Sequence, residues 1–371
     1  MDVFPRLQLD LDALEHNVEA GAGWSQAADV DLWPHAKTTM CRPVVARQLA
    51  AGASGLTVAT PEQAAIVAPW GAPTVLVANQ VVDPAGVRTL AEIQWEHPDV
   101  RLLALVDSVE GARLLDREAA SHGAVLEVLL DVGMPGGRTG VRTETAARAV
   151  ARCTTGLSSL RFAGVAAYEG VVPNRRDARS IDAVDELAAR SVDLHDALAA
   201  QFETARPVFT MGGSAFPDRV LAARRPSAPW TVTALRSGCY VTHDHGTYAA
   251  VSPIPGLVPA LSVLVRVLST PEPHVAVLGA GKRELPHDMG WPVLLARGAL
   301  TSAATTDGLG TVAAMYDHHT VVHEASSLAV GDVVRLGISH PCSAFSRWPT
   351  IDVVSAGTTV DTWTTQFHAA P

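Results

Sequence analysis

Leu32-Trp33-Pro34-His35-Ala36-Lys37-Thr38-Thr39-Met40, LWPHAKTTM, continues a short apolar, β-prone run from Val30 and places a lysine just beyond it. Lys37 and Lys282 are the only lysines in 371 residues; arginine does nearly all the other cationic work. An arginine cannot shed its proton near neutral pH and attack a carbonyl as a free amine. A lysine retained in such a chain is therefore a candidate for amine chemistry, and one at a strand end projects into whatever site the strand serves. The functional reading is a Schiff-base lysine holding an aldehyde cofactor, with pyridoxal phosphate foremost. The competing reading is a leftover surface lysine.

Outward from this stretch, apolar runs rich in Val and Leu alternate with helical patterns. Residues 55–59, 74–78, 101–106, 126–130, 162–167 and 208–211 read as strands, and 61–68, 109–122, 144–152 and 178–200 as helices. Thr60 followed by Pro61 and Glu62 is a helix start: a capping hydroxyl, then proline and an acid in the first turn. Strands that alternate with helices and are apolar on both faces predict a parallel sheet. About eight units over roughly 235 residues is the size of a (β/α)8 barrel. Residues 7–10 read as its opening strand. An open doubly wound sheet is the alternative, but no G-x-G-x-x-G follows the first strand. From about residue 246 the long helical patterns stop, and runs at 261–268, 274–278, 319–323, 333–337 and 351–354 predict a mainly β domain. The expected division is a barrel over 7–245 and a β domain over 246–371 that also takes residues 1–6.

Composition narrows the function. A formal net charge of −10 without a basic cluster argues against a nucleic-acid partner. No basic-then-apolar leader opens the sequence and no apolar run has the length of a membrane span. Cys41, Cys153, Cys239 and Cys342 show no CxxC spacing, which fits a reducing cytoplasm.

Six clusters fall at apparent strand ends. The first is Lys37 with His35. The second is the glycine-rich turn running into Arg138, whose guanidinium can approach a flat anionic or aromatic ligand. The third is Tyr168, placed to stack on or hydrogen-bond a ring. The fourth, Thr210-Met211-Gly212-Gly213-Ser214, exposes backbone N–H groups and hydroxyls suited to a phosphate. The fifth, Leu235-Arg236-Ser237-Gly238-Cys239-Tyr240, adds a second candidate set of phosphate contacts. The sixth is Ser339-His340-Pro341-Cys342: on extended backbone an H-x-C pair points both side chains to one side, and imidazole with thiolate suits Zn²⁺ better than Mg²⁺ or Ca²⁺. Two ligands are too few for a closed structural site. His318, His319 and His323 are possible helpers. For each cluster an ordinary loop, packing residue or buried cysteine is the plainer alternative.

Taken together, PHAKT and GISHPCSAFSRW resemble the fold-type III pyridoxal phosphate family of metal-activated D-serine dehydratases and D-threonine aldolases, whose N-terminal part is the alanine-racemase barrel. The resemblance spans essentially the whole chain. It implies that Lys37 carries the cofactor, that Arg138 lies by the pyridine nitrogen, and that Tyr168 flanks the ring beside His35. It implies further that Thr210, Gly212, Gly213, Ser214, Gly238 and Tyr240 surround the phosphate. His340 and Cys342 would hold a divalent metal, zinc above manganese or magnesium. His319 lies where the family has a catalytic histidine, but His318 precedes it in place of an acid or amide. Lys282 matches no Schiff-base motif.

The substrate implied is a β-hydroxy D-amino acid. Either Lys37 takes the α-proton and the metal-held hydroxyl leaves, giving a keto acid and ammonia, or a base takes the hydroxyl proton and the Cα–Cβ bond breaks to glycine and an aldehyde. A cysteine in the second metal position resembles the zinc-dependent dehydratases, which favours dehydration. A homodimer is implied in which one chain's β domain completes the other's site. An amino-acid racemase and a non-catalytic pyridoxal phosphate carrier are the alternatives from other classes.

Overall fold

The computed structural model describes residues 3–224, 231–298 and 307–367. The chain opens with β1 (Arg6–Asp10) and α1 (Leu11–Ala27), then alternates: β2 (Asp31–Leu32), α2 (Arg42–Ala50), β3 (Leu56–Val58), α3 (Pro61–Val67), β4 (Thr74–Gln80), α4 (Pro84–Glu96), β5 (Arg101–Val106), α5 (Val109–Ser121), β6 (Leu126–Val132), α6 (Glu144–Thr154), β7 (Leu160–Ala167), α7 (Ala178–Leu198), β8 (Val208–Thr210), α8 (Pro217–Ala223) and β9 (Val232–Leu235). Strand ends run into capping residues that start the next helix. Thr60, Asp83, Ser108, Thr143 and Asp177 each accept an amide hydrogen from the first turn that follows, with proline at the start of α3 and α4.

The strands β2–β9 form one eight-stranded sheet in the order β2-β9-β8-β7-β6-β5-β4-β3, every pairing parallel. Its two ends meet at a single parallel bridge, His35 with Thr57, where the Thr57 amide donates to Pro34 O at 2.9 Å. Both faces are apolar, as the sequence predicted. Alternate residues fill the barrel interior, Leu103, Leu105, Leu129 and Trp33 among them, while Leu102, Ala104 and Val106 face the helices.

The strand expected to open the barrel does not. β1 pairs antiparallel with β10 (Leu261–Glu272) and parallel with β16 (Thr350–Ser355), Leu9 lying opposite both Leu261 and Val353. Leu7, Gln8 and Leu9 are all buried between these neighbours. The β1 strand thus belongs to the second sheet, and β2 takes the first barrel position.

After α9 (Thr247–Val251) come β10, β11 (Val275–Leu278), β12 (Val293–Arg297), β13 (Thr311–Met315), β14 (Thr320–His323), β15 (Val333–Gly337), β16 and β17 (Thr358–Thr364), in a second, nine-stranded sheet. This is the mainly β region that the change of texture at residue 246 predicted. No helix among the described residues is long and apolar enough to cross a membrane.

Candidate active site

Lys37 sits on a one-turn 3₁₀ helix, Ala36–Thr38, immediately after the bridge that closes the barrel. The turn is gripped from both sides. The Trp33 amide donates to Leu235 O at 2.8 Å on one flank, and the Thr57 hydroxyl donates to Trp33 O at 2.8 Å on the other. Gly238 packs so closely on His35 that a Cβ there would lie 2.8 Å from the His35 Cβ. The backbone carrying the amine is therefore fixed by β3, β9 and the turn after β9.

A cavity of about 160 Å³ opens in front of the amine, lined by His35, Lys37, Asp131, Arg138, Tyr168 and Arg236 with a few smaller side chains. Burial is the main force lowering the Lys37 pKa from its ordinary value. Arg138 and Arg236 push the same way, and the thiols of Cys342 and Cys239 oppose them. His35 is held well below the ordinary imidazole range, by burial first and then by Lys37, and stays neutral. The Arg138 guanidinium lies 4.8 Å over the Tyr168 ring, and burial lifts the Tyr168 hydroxyl to about 12.

Arg236 is a residue that sequence reasoning passed over within its own cluster. It is 3% exposed, with one guanidinium nitrogen donating to Thr210 O and Oγ1 and another to Ala167 O. Its Nε and the Nδ1 of His35 are shielded from solvent without a partner among the described residues. Two orphaned polar atoms and a nearby amine of lowered basicity fit a flat, polar, aldehyde-bearing cofactor. Asp131, which heads the glycine-rich cluster but drew no assigned role from the sequence, is fixed by Gln80 and Thr139 at 2.8 Å each, and burial raises its pKa.

The expected phosphate contacts divide. The Ser214 hydroxyl accepts from the Cys239 amide at 3.1 Å, beside Gly238, so these three stand together. The Gly212 and Gly213 amides instead donate to the buried carboxylate of Glu169. The Thr210 hydroxyl donates to Ala234 O and accepts from Arg236. Tyr240 turns into the core: its hydroxyl accepts from Gln48 at 3.1 Å, and its ring covers Gly21, where a Cβ would lie 2.3 Å from the ring edge.

His340 and Cys342 lie in the loop after β15. The His340 Nδ1 pairs with Asp288 at 2.9 Å, leaving the other ring nitrogen for Cys342. Burial pulls the His340 pKa down, but Cys342 and Asp288 outweigh it and lift it to about 9. The Cys342 thiol is lowered to about 5, chiefly by its hydrogen bond with Cys239 and also by His340. Cys239 moves the opposite way and keeps its proton. A thiolate next to an imidazole oriented through its far nitrogen fits a metal held by two protein donors. Among the described residues no group of three or more His, Cys, Asp or Glu is arranged around one point. His319 lies exposed at the tip of the β13–β14 hairpin and does not line the cavity of its own chain, nor does Lys282.

Residues 9–241 match the alanine racemase N-terminal domain family, and residues 260–354 match the putative serine dehydratase domain family. The protein belongs to the alanine racemase N-terminal domain family. The chain is 29% identical to the D-threonine aldolase of Arthrobacter sp. over 361 residues, covering 97% of this chain and 91% of that one. It is 27% identical to the D-threo-3-hydroxyaspartate dehydratase of Delftia sp. (strain HT23), covering 97% and 96%. The crystal structure of the D-threonine aldolase from Filomicrobium marinum superposes with a TM-score of 0.81 at 26% identity, covering 98% of this chain and 95% of that one. These relatives are an aldolase type and a dehydratase, both lyases, built on the alanine-racemase-like fold that this family member shares.

Proposed function

We propose that this protein is a pyridoxal phosphate- and metal-dependent lyase of β-hydroxy D-amino acids, acting as a dehydratase that gives a 2-keto acid and ammonia. One observation carries the reading: the Cys342 sulfur, from the β-rich part of the chain, stands 3.2 Å from that of Cys239, whose neighbour Gly238 packs on His35, two residues before Lys37. That contact supports reading the amine and the proposed metal-binding pair as parts of one site.

Lys37 is the residue to bind the cofactor aldehyde and to move a proton at Nζ, and its burial keeps part of its population neutral at lower pH than an exposed lysine. Bound there, pyridoxal phosphate supplies an electron sink for the substrate α-carbon. Arg236, His35, Tyr168 and Arg138, which line the cavity, would hold the ring, and Ser214 and Gly238 would hold the phosphate. His340 and Cys342 would hold the metal, which supplies Lewis acidity at the substrate hydroxyl. The Cys342 thiolate favours Zn²⁺ over Mn²⁺ or Mg²⁺. We further place His319 at the neighbouring site of a homodimer, a reading supported by its exposure beside Tyr316, itself 61% exposed.

The likeness to the D-threonine aldolase over 97% of the chain favours aldol cleavage as the second reading. Incubation with D-serine, D-threonine and D-threo-3-hydroxyaspartate, with and without chelator, separates the two. A keto acid and ammonia, lost on chelation, is the expected result; glycine with an aldehyde replaces it if the second reading holds. Chelator-insensitive racemisation would overturn both.

A further inference from the structure

The Sγ atoms of Cys239 and Cys342 stand 3.2 Å apart. A disulfide is about 2.04 Å long, so a closure of about 1.2 Å would join them. The two thiols differ in access. Cys342 is exposed in the loop after β15, whereas Cys239 is 4% exposed on the 3₁₀ turn after β9. They come from positions 103 apart, one from the barrel and one from the β-rich part of the chain. Neither Cys41 nor Cys153 is paired with either of them in the hydrogen-bonded thiol contact.

We propose that Cys239 and Cys342 are a reversible thiol–disulfide couple that closes when the metal is absent and a low-molecular-weight disulfide is present. The sulfur of Cys342, the exposed residue of the two, attacks the oxidant, forming a mixed disulfide and releasing one thiolate of the oxidant. The buried Cys239 sulfur then attacks the Cys342 sulfur of that mixed bond. The intramolecular bond forms and the oxidant's second half leaves. Cys342 reacts as a thiolate, and the proton of Cys239 passes to one of the two departing thiolates; the cysteines lose two electrons and the oxidant gains them. A metal on Cys342 blocks the first attack, and the closed bond removes that sulfur as a ligand. Metal loading and oxidation therefore exclude each other. That last consequence rests on Cys342 being a ligand, as proposed above; closure of the bond does not.

The test uses full-length protein stripped with chelator and incubated with oxidised glutathione, followed by maleimide labelling in denaturant and peptide mapping. The expected result is two fewer labelled cysteines, a peptide joining positions 239 and 342, and zinc affinity lowered by tenfold or more until dithiothreitol restores it. Protein loaded with zinc beforehand keeps all four labels. Cys239→Ser forms no internal bond and stops at a glutathione adduct. Four free thiols in the stripped protein, or glutathione adducts that never resolve, would overturn the proposal. Closure with unchanged zinc affinity would support the couple and overturn instead the assignment of Cys342 as a metal ligand.

Discussion

The Glu169 carboxylate accepts the amide hydrogen of Gly213, and that of Gly212 beside it, in the turn that follows β8. A buried anion thus occupies donors that a Gly-Gly turn at a barrel's phosphate end otherwise offers to a ligand. Replacing Glu169 by Ala strands two amides and should lower the unfolding free energy by about 2–4 kcal/mol. Urea denaturation of the cofactor-free protein measures this, and a loss under about 0.5 kcal/mol would count against the clamp.

Lys37→Ala should abolish the visible absorbance of an imine-bound cofactor and reduce turnover by roughly 10³-fold or more. Borohydride reduction of the wild-type protein followed by peptide mapping should find the pyridoxyl group on Lys37. Finding it on Lys282 would refute the assignment.

Arg236 and Arg138 both border the cavity, but only Arg236 is built into the barrel. Arg236→Leu leaves the Thr210 and Ala167 carbonyls without their donor and should cost about 2–4 kcal/mol of stability. Arg138→Leu, at an exposed loop position, should change stability by less than about 0.5 kcal/mol while weakening cofactor or substrate binding. Equal losses of stability in the two variants would contradict this division.

Asp288 orients His340 from outside the proposed ligand pair. Asp288→Ala should weaken zinc binding by about 10- to 100-fold with little effect on the cofactor's absorbance. Competition against a zinc-buffering chelator gives the affinity directly.

Zinc binding should depend on pH through His340. The protonated imidazole cannot ligate, and its pKa stands at about 9, so binding below that pH must expel a proton. Cys342, at about 5, has already lost its own at neutral pH. The association constant should rise about tenfold per pH unit toward 9 and then level off. A plateau already reached near pH 7 would mean that the imidazole titrates as an ordinary histidine.

Much of this architecture was legible in the sequence because its signals are local. Thr60-Pro61-Glu62 caps α3 as read, since capping is decided within four residues. The bounds of β5 and β15 coincide with their apolar runs. The assignment of β1 to the barrel failed because alternation within a strand does not name its partners; β10 and β16 lie some 250 residues or more away and compete for it on equal local terms. Lys37, His340 and Cys342 stood out by residue type and motif. Arg236 did not, because one arginine among many acquires meaning only when it is buried under a cavity. Asp288 lies 52 positions before His340 in a loop with no pattern of its own. Tyr240 was drawn to the phosphate by its motif, whereas the absent side chain at Gly21 makes room for it in the core.

The ring of strands is fastened at one residue pair, His35 with Thr57, two positions before the Lys37 amine. A one-residue slip at that seam would swap which side chains face inward and carry the amine off its station. Such a molecule would keep its helices and its size yet stay colourless with vitamin present. The tint of the loaded protein is thus a gauge of whether the seam has locked in register.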